Sequence, residues 1–163
     1  MRTAAVDETS RPGEKPEDYV RRLAEVKALA IPAAPDEIVL GADTTVVIDG
    51  QMLGKPEDAA DARRMLEALS GRRHEVMTGI CLRRGSELIR DWAVTQVWFT
   101  AITAREIEEY VASREPRDKA GAYAIQGLAS KFIEKIEGCY FNVVGLPVAM
   151  VYRHLRNCST RGG

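Results

Sequence analysis

Apolar positions recur with two different periods along this chain, and the switches between them outline its elements. From Pro16 onward, Val20, Leu23, Ala24 and Ile31 fall at helical spacing. Pro16 suits a first helical position, and Glu17 and Asp18 favour the positive end of the helix dipole. Lys27 lies on the same face as Leu23. By pattern it reads as a marginal lysine whose stem packs while its amine reaches water. The stretch EIVLGADTTVVIDGQML is apolar almost throughout, which predicts a strand buried on both faces. Within it Gly41 marks a bend or a close backbone approach, and Asp49-Gly50 marks a hairpin turn.

A second helix is expected after Pro56, with Ala62, Met65, Leu66 and Leu69 on one face and Gly71 as its stop. Two strands, over 74–82 and 87–99, flank a turn at Gly85-Ser86. Thr103 and Glu106 form a capping box that opens a third helix, turning Ile107, Tyr110 and Val111 inward. The segment REPRDKAGAYAIQG is too charged and too glycine-rich for one regular element. A strand pair at 132–136 and 140–144 then leads to a last helix from near Pro147, with a fraying tail after Asn157. Strands and helices interleave without repeats or linkers, so residues 1–163 read as one α/β domain.

Composition narrows the function classes. Lys and Arg number 23 against 24 Asp and Glu, a balance that disfavours a nucleic-acid binder. Cys81, Cys139 and Cys158 have neither metal-pair nor Cys-x-x-Cys spacing, and read as reduced thiols of a cytoplasmic protein, the first two buried. No apolar run has signal-peptide or membrane-spanning length. His74 and His154 lack paired ligand spacing, and neither a P-loop nor a Gly-x-Ser-x-Gly elbow is present.

The candidate chemistry sits in three places. Asp43 follows the apolar run Ile38-Val39-Leu40, where open α/β sheets put ligand chemistry beyond strand ends; a turn-capping aspartate is the alternative. Lys55, in LGKPED, is either a phosphate-binding point charge or a solvated loop residue. In DKAGAYAIQG, Asp118 and Lys119 adjoin glycines that let backbone approach a ligand. Gln126 there offers a donor and an acceptor to the edge of a planar base, or else satisfies loop backbone. Asn142, in FNVVGLP, leans to the structural role.

Taken together, AVDET, YVRRLAEVKA, VLGADTTVV, LGKPEDAADARRMLEALSGRRHEVMTG, EPRDKAGAYAIQG and GCYFNVVGLP resemble the Maf-like nucleoside triphosphate pyrophosphatases. The resemblance implies a Maf/ITPase-like fold, an elongated mixed β-sheet flanked by helices that frame a nucleotide cleft. It implies cleavage of a nucleoside triphosphate to the monophosphate and pyrophosphate with a divalent metal, Mg²⁺ or Mn²⁺. Asp43 then matches the catalytic acidic residue, the base for the attacking water, Glu8 an acidic residue that helps Asp43 hold the metal, and Lys27 a helix lysine aimed into the cleft. Lys55 matches a lysine near the phosphates, and Lys119 would add charge there. Thr44 and Gln126 match positions that mark the dTTP/UTP branch, with modified pyrimidine nucleotides as further candidate substrates. A homodimer is left open. The family pattern opens with a strand and a Ser-x-Ser-Pro-Arg-Arg loop that this sequence lacks. The rival expectation is therefore a catalytically impaired nucleotide-binding or interaction protein.

Overall fold

The computed structural model describes residues 6–160. In chain order the elements are α1 (Pro16–Leu29), β1 (Ile38–Ile48), β2 (Gln51–Leu53), α2 (Ala59–Leu69), β3 (Arg73–Arg84), β4 (Glu87–Phe99), α3 (Ala104–Ala112), β5 (Ile133–Glu137), α4 (Tyr140–Val144) and α5 (Val148–Thr160). Short 3₁₀ turns fill the stretch between α3 and β5. The expected loose tail after Asn157 falls partly on 161–163, outside the described residues, and the chain is helical up to Thr160.

The strands form one sheet in the order β2-β1-β3-β4-β5. All four described pairings are antiparallel, where a mixed sheet is expected. The β1–β2 connection is the predicted tight turn: Asp49 and Gly50 both have positive φ, 51° and 74°, as a type I′ hairpin requires. β2 pairs only with residues 46–48, so the upstream half of β1 has no strand neighbour on that side among the described residues.

α1 lies against one face of β1 and β3, and two glycines set how closely. A Cβ on Gly41 would stand 2.1 Å from the Ala24 carbonyl oxygen, and one on Gly79 would stand 2.3 Å from that of Val20. Both contacts are impossible for any other residue, so helix backbone rests directly on strand backbone. Gly41 thus marks a close approach. The opposite face carries the main core, in which Leu66 and Leu69 of α2 and Tyr110 of α3 pack against Val46, Val76 and Val97. The capping box at Thr103 and Glu106 is present, with both reciprocal bonds formed.

Three expectations need correction. Residues 140–144 form the short helix α4 in place of a strand: the amides of Asn142 and Val143 turn back to the Cys139 carbonyl, and Gly145 ends the turn at φ 119°. β1 is not buried on both faces throughout, because Ile38 and Leu40 are exposed at its start while residues 45–48 are buried. Cys139 is only partly buried, whereas Cys81 is fully enclosed between α1 and the sheet.

Candidate active site

Asp43 lies in the middle of β1, opposite Gly79 on β3, and not beyond a strand end as expected. The strand-end rule belongs to parallel sheets, and this sheet is antiparallel where Asp43 sits. The neighbouring helix supplies the partner of Asp43. The close seating of α1 brings Lys27 Nζ to 2.5 Å from Asp43 Oδ1, and the same ammonium lies 2.8 Å from Glu8 Oε1. Lys27 therefore does not spend its charge on water; it joins a carboxylate from the N-terminal segment to one from the sheet. Tyr19, also on α1, fixes that segment by donating its hydroxyl to the Glu8 carbonyl at 2.9 Å.

The electrostatics of the three groups differ. Burial pushes the Asp43 carboxyl above the usual aspartate value, against the pull of Lys27, and its side chain is only 9% exposed. The Lys27 hydrogen bond holds Glu8 below the usual glutamate value. Burial works to remove the proton from Lys27, but the bonds to Asp43 and Glu8 outweigh it and raise its pKa. Lys27 engages Oδ1 of Asp43, and among the described residues Oδ2 has no hydrogen-bond partner.

These groups line a cavity of about 300 Å³ together with Lys55, Lys119, Thr44 and Gln126. Alternation along β1 turns Asp43 towards α1 and Thr44 towards the opposite face. One cavity reaches both, beside the stretch of the β1 edge that β2 leaves unpaired among the described residues. Lys55 is exposed in the loop after β2, and its charge acts on Glu8 and Asp43 without a direct bond. Lys119 pairs with its neighbour Asp118 at 3.1 Å. The side chain of Gln126 is exposed and makes no hydrogen bond among the described residues, so its carboxamide does not satisfy loop backbone.

Thr44 belongs to a network the sequence did not announce. Its hydroxyl lies 2.9 Å from that of Thr78, which donates to the Asn142 carbonyl at 3.0 Å. A hydroxyl has one proton, so Thr44 is the donor in the first bond and presents only lone pairs to the cavity. Asn142 is fully buried and donates through Nδ2 to the Val76 carbonyl and to Thr95, the structural role expected of it. Tyr123, also lining the cavity, is bonded through its hydroxyl to His74 Nε2 at 2.8 Å. The only sequence signal for Thr78 and His74 is a polar residue inside an otherwise apolar strand.

Three carboxylates of the described residues line the cavity: Asp118 is paired with Lys119, and Glu8 and Asp43 share Lys27. Among the described residues no three His, Cys, Asp or Glu side chains are grouped as a metal-binding set. The carboxylates of Glu8 and Asp43 are hard oxygen donors, the kind of ligand that divalent cations such as Mg²⁺ take.

The family described as Maf-like protein matches residues 1–158. The chain belongs to that family. A dTTP/UTP pyrophosphatase of Anaeromyxobacter dehalogenans (strain 2CP-C) is 52% identical over 160 residues, covering 96% of this chain and 81% of the relative. One from Koribacter versatilis (strain Ellin345) is 50% identical over 154 residues, covering 94% and 80%. One from Syntrophomonas wolfei is 47% identical over 160 residues, covering 96% and 85%. The Maf-like motifs bring Glu8, Lys27, Asp43, Thr44, Lys55, Lys119 and Gln126 to the same cavity, although they are spread over most of the sequence. Among the described residues, no helix is long and apolar enough to cross a membrane.

Proposed function

We propose that this Maf-like chain hydrolyses dTTP and UTP to the monophosphate and pyrophosphate. The observation that carries the reading is the convergence, in one cleft, of the Glu8–Lys27–Asp43 cluster with the unpaired carboxamide of Gln126. Asp43 orients a water and takes its proton through Oδ2 as the water oxygen attacks the α-phosphorus in line. The bond from the α-phosphorus to the bridging oxygen breaks, and pyrophosphate leaves with that oxygen. Lys27, Lys55 and Lys119 stabilise the charge that develops on the leaving group. Glu8 and Asp43 would hold a divalent cation, Mg²⁺ or Mn²⁺, which when bound neutralises phosphate charge. The elevated pKa of Asp43 suits a base, since it holds a proton better than a solvated aspartate would.

Gln126 accepts from N3–H and donates to O4 of uracil or thymine, a pattern that cytosine reverses. The names and identities of the relatives support the same substrate pair. The three free cysteines support a reducing, cytoplasmic setting. The test is pyrophosphate release from dTTP, UTP, CTP and the purine triphosphates. UTP should exceed CTP in kcat/KM by about tenfold to a hundredfold. A chain that gains thermal stability with dTTP yet releases no pyrophosphate would be a binding module, and the proposal would fall.

A further inference from the structure

The loop that carries Gln126 is held from beneath by two residues outside the cavity lining. Residues 124–127 form a tight turn closed by a bond from the Gly127 amide to the Ala124 carbonyl at 3.1 Å, which places Gln126 third in the turn. At one end the Ala124 amide donates to the Tyr110 hydroxyl at 3.3 Å. At the other end the Leu128 amide donates to Glu115 Oε2 at 3.0 Å. The two supports are themselves joined, since the Tyr110 hydroxyl donates to Glu115 Oε1 at 2.9 Å. The carboxylate fills the space beside Gly127, where a Cβ would come within 2.3 Å of Oε1. Tyr110 is 2% exposed and packs edge-on against Phe132, so the phenol that anchors the turn is fixed by the core.

We infer that Tyr110 and Glu115 are positioning residues that set base discrimination by holding Gln126 at a fixed place in the cleft. The inference rests on the pyrimidine reading of Gln126 given above. A carboxamide distinguishes uracil from cytosine only if its two ends stay aligned with the base edge. Among the described residues Gln126 has no side-chain partner to keep it aligned, so the turn supplies the precision. Both oxygens of Glu115 are engaged, one by Tyr110 and one by the turn. Loss of the phenol hydroxyl removes two of the three bonds at once, while Phe at 110 keeps the ring in the core.

The experiment compares the wild type, Tyr110→Phe, Glu115→Ala and Gly127→Ala for kcat/KM with UTP and with CTP, and for amide hydrogen exchange at residues 124–128. The expected result is an approximately tenfold smaller UTP-to-CTP ratio in each variant, arising mainly in KM for UTP, with faster exchange of the Ala124 and Leu128 amides. Variants that lose thermal stability but keep the wild-type ratio would show a merely structural pair and overturn the inference. If the wild type itself does not distinguish UTP from CTP, the reading of Gln126 fails, and exchange at 124–128 then decides the clamp alone. Wild-type exchange in Tyr110→Phe would overturn the clamp whatever the substrate.

Discussion

Lys27 on α1 and Asp43 in the middle of β1 form an ion pair with an Nζ–Oδ1 distance of 2.5 Å, across the place where helix and strand backbones touch. The pair explains why a charged residue lies on the buried stripe of the helix. It also engages Oδ1, while Oδ2 has no hydrogen-bond partner among the described residues.

Replacing Asp43 with Asn should remove turnover while sparing the fold. The amide keeps the shape and can still accept from Lys27, but it cannot take a proton from water. A loss of about 10²–10⁴-fold in kcat is expected for a missing general base. Pyrophosphate release from dTTP, read beside the thermal midpoint, checks it; near wild-type turnover would remove Asp43 from its proposed role.

Lys27→Met should move the acid limb of the pH–rate profile to higher pH. Asp43 is already above the ordinary aspartate value because of burial, and Lys27 is the largest influence drawing it back down. Without that cation the carboxylate is harder to ionise, so the active, deprotonated form appears later as pH rises. The measurement is kcat/KM for dTTP across the acid limb in both proteins. An unmoved limb would mean that Asp43 is not the titrating group.

Gly41→Ala tests the seating of α1. In an ordinary strand the added methyl would be favourable, but here it would stand 2.1 Å from the Ala24 carbonyl oxygen. Overpacking of this kind costs about 1–3 kcal/mol, and the helix must shift to relieve it. Urea unfolding should show the loss of stability, and activity should fall with it because Lys27 moves away from Asp43. A variant as stable and active as the wild type would show that the contact does not set the site.

Thr78→Val should weaken the site through Thr44. Valine keeps the shape but removes the acceptor for the Thr44 proton and the donor to the Asn142 carbonyl. Leaving such buried groups unpaired costs about 1–3 kcal/mol of stability. Thr44, free to rotate, would no longer present only lone pairs, and kcat/KM for UTP should fall by about tenfold. Thr78→Ser retains the hydroxyl and should restore most of that loss, which steric disruption alone would not predict.

His74 should make stability fall in mild acid. It is 2% exposed, and burial lowers its pKa from 6.5 to about 4. The folded protein thus resists protonation that the unfolded chain accepts. This contribution is complete above the unfolded value and is lost as pH drops towards the folded one. Linkage gives a decline of about 2 kcal/mol between about pH 7 and about pH 5. Urea midpoints at those two pH values should show the decline in the wild type and a flatter response in His74→Gln. Equal slopes would mean that His74 stays solvated or charged in the fold.

Much of the framework was determined by the sequence itself. Pro16 starts α1, the Thr103–Glu106 box starts α3, Asp49-Gly50 turns the first hairpin, and Ala62, Met65, Leu66 and Leu69 are the buried stripe of α2. These are local signals, carried by residues a few positions apart whose backbone preferences act within one turn. Tertiary structure decided the rest. Residues 140–144 became a helix because Thr95, Thr78 and Val76 supply partners for Cys139 and Asn142 from other strands. Lys27 met Asp43 and Glu8 only when two distant glycines let α1 rest on the sheet. The support of Gln126 by Tyr110 and Glu115 has the same origin. Periodicity records which face of an element is buried; it does not record what stands across from each residue, and the chemistry of this cleft is set by those cross-chain contacts.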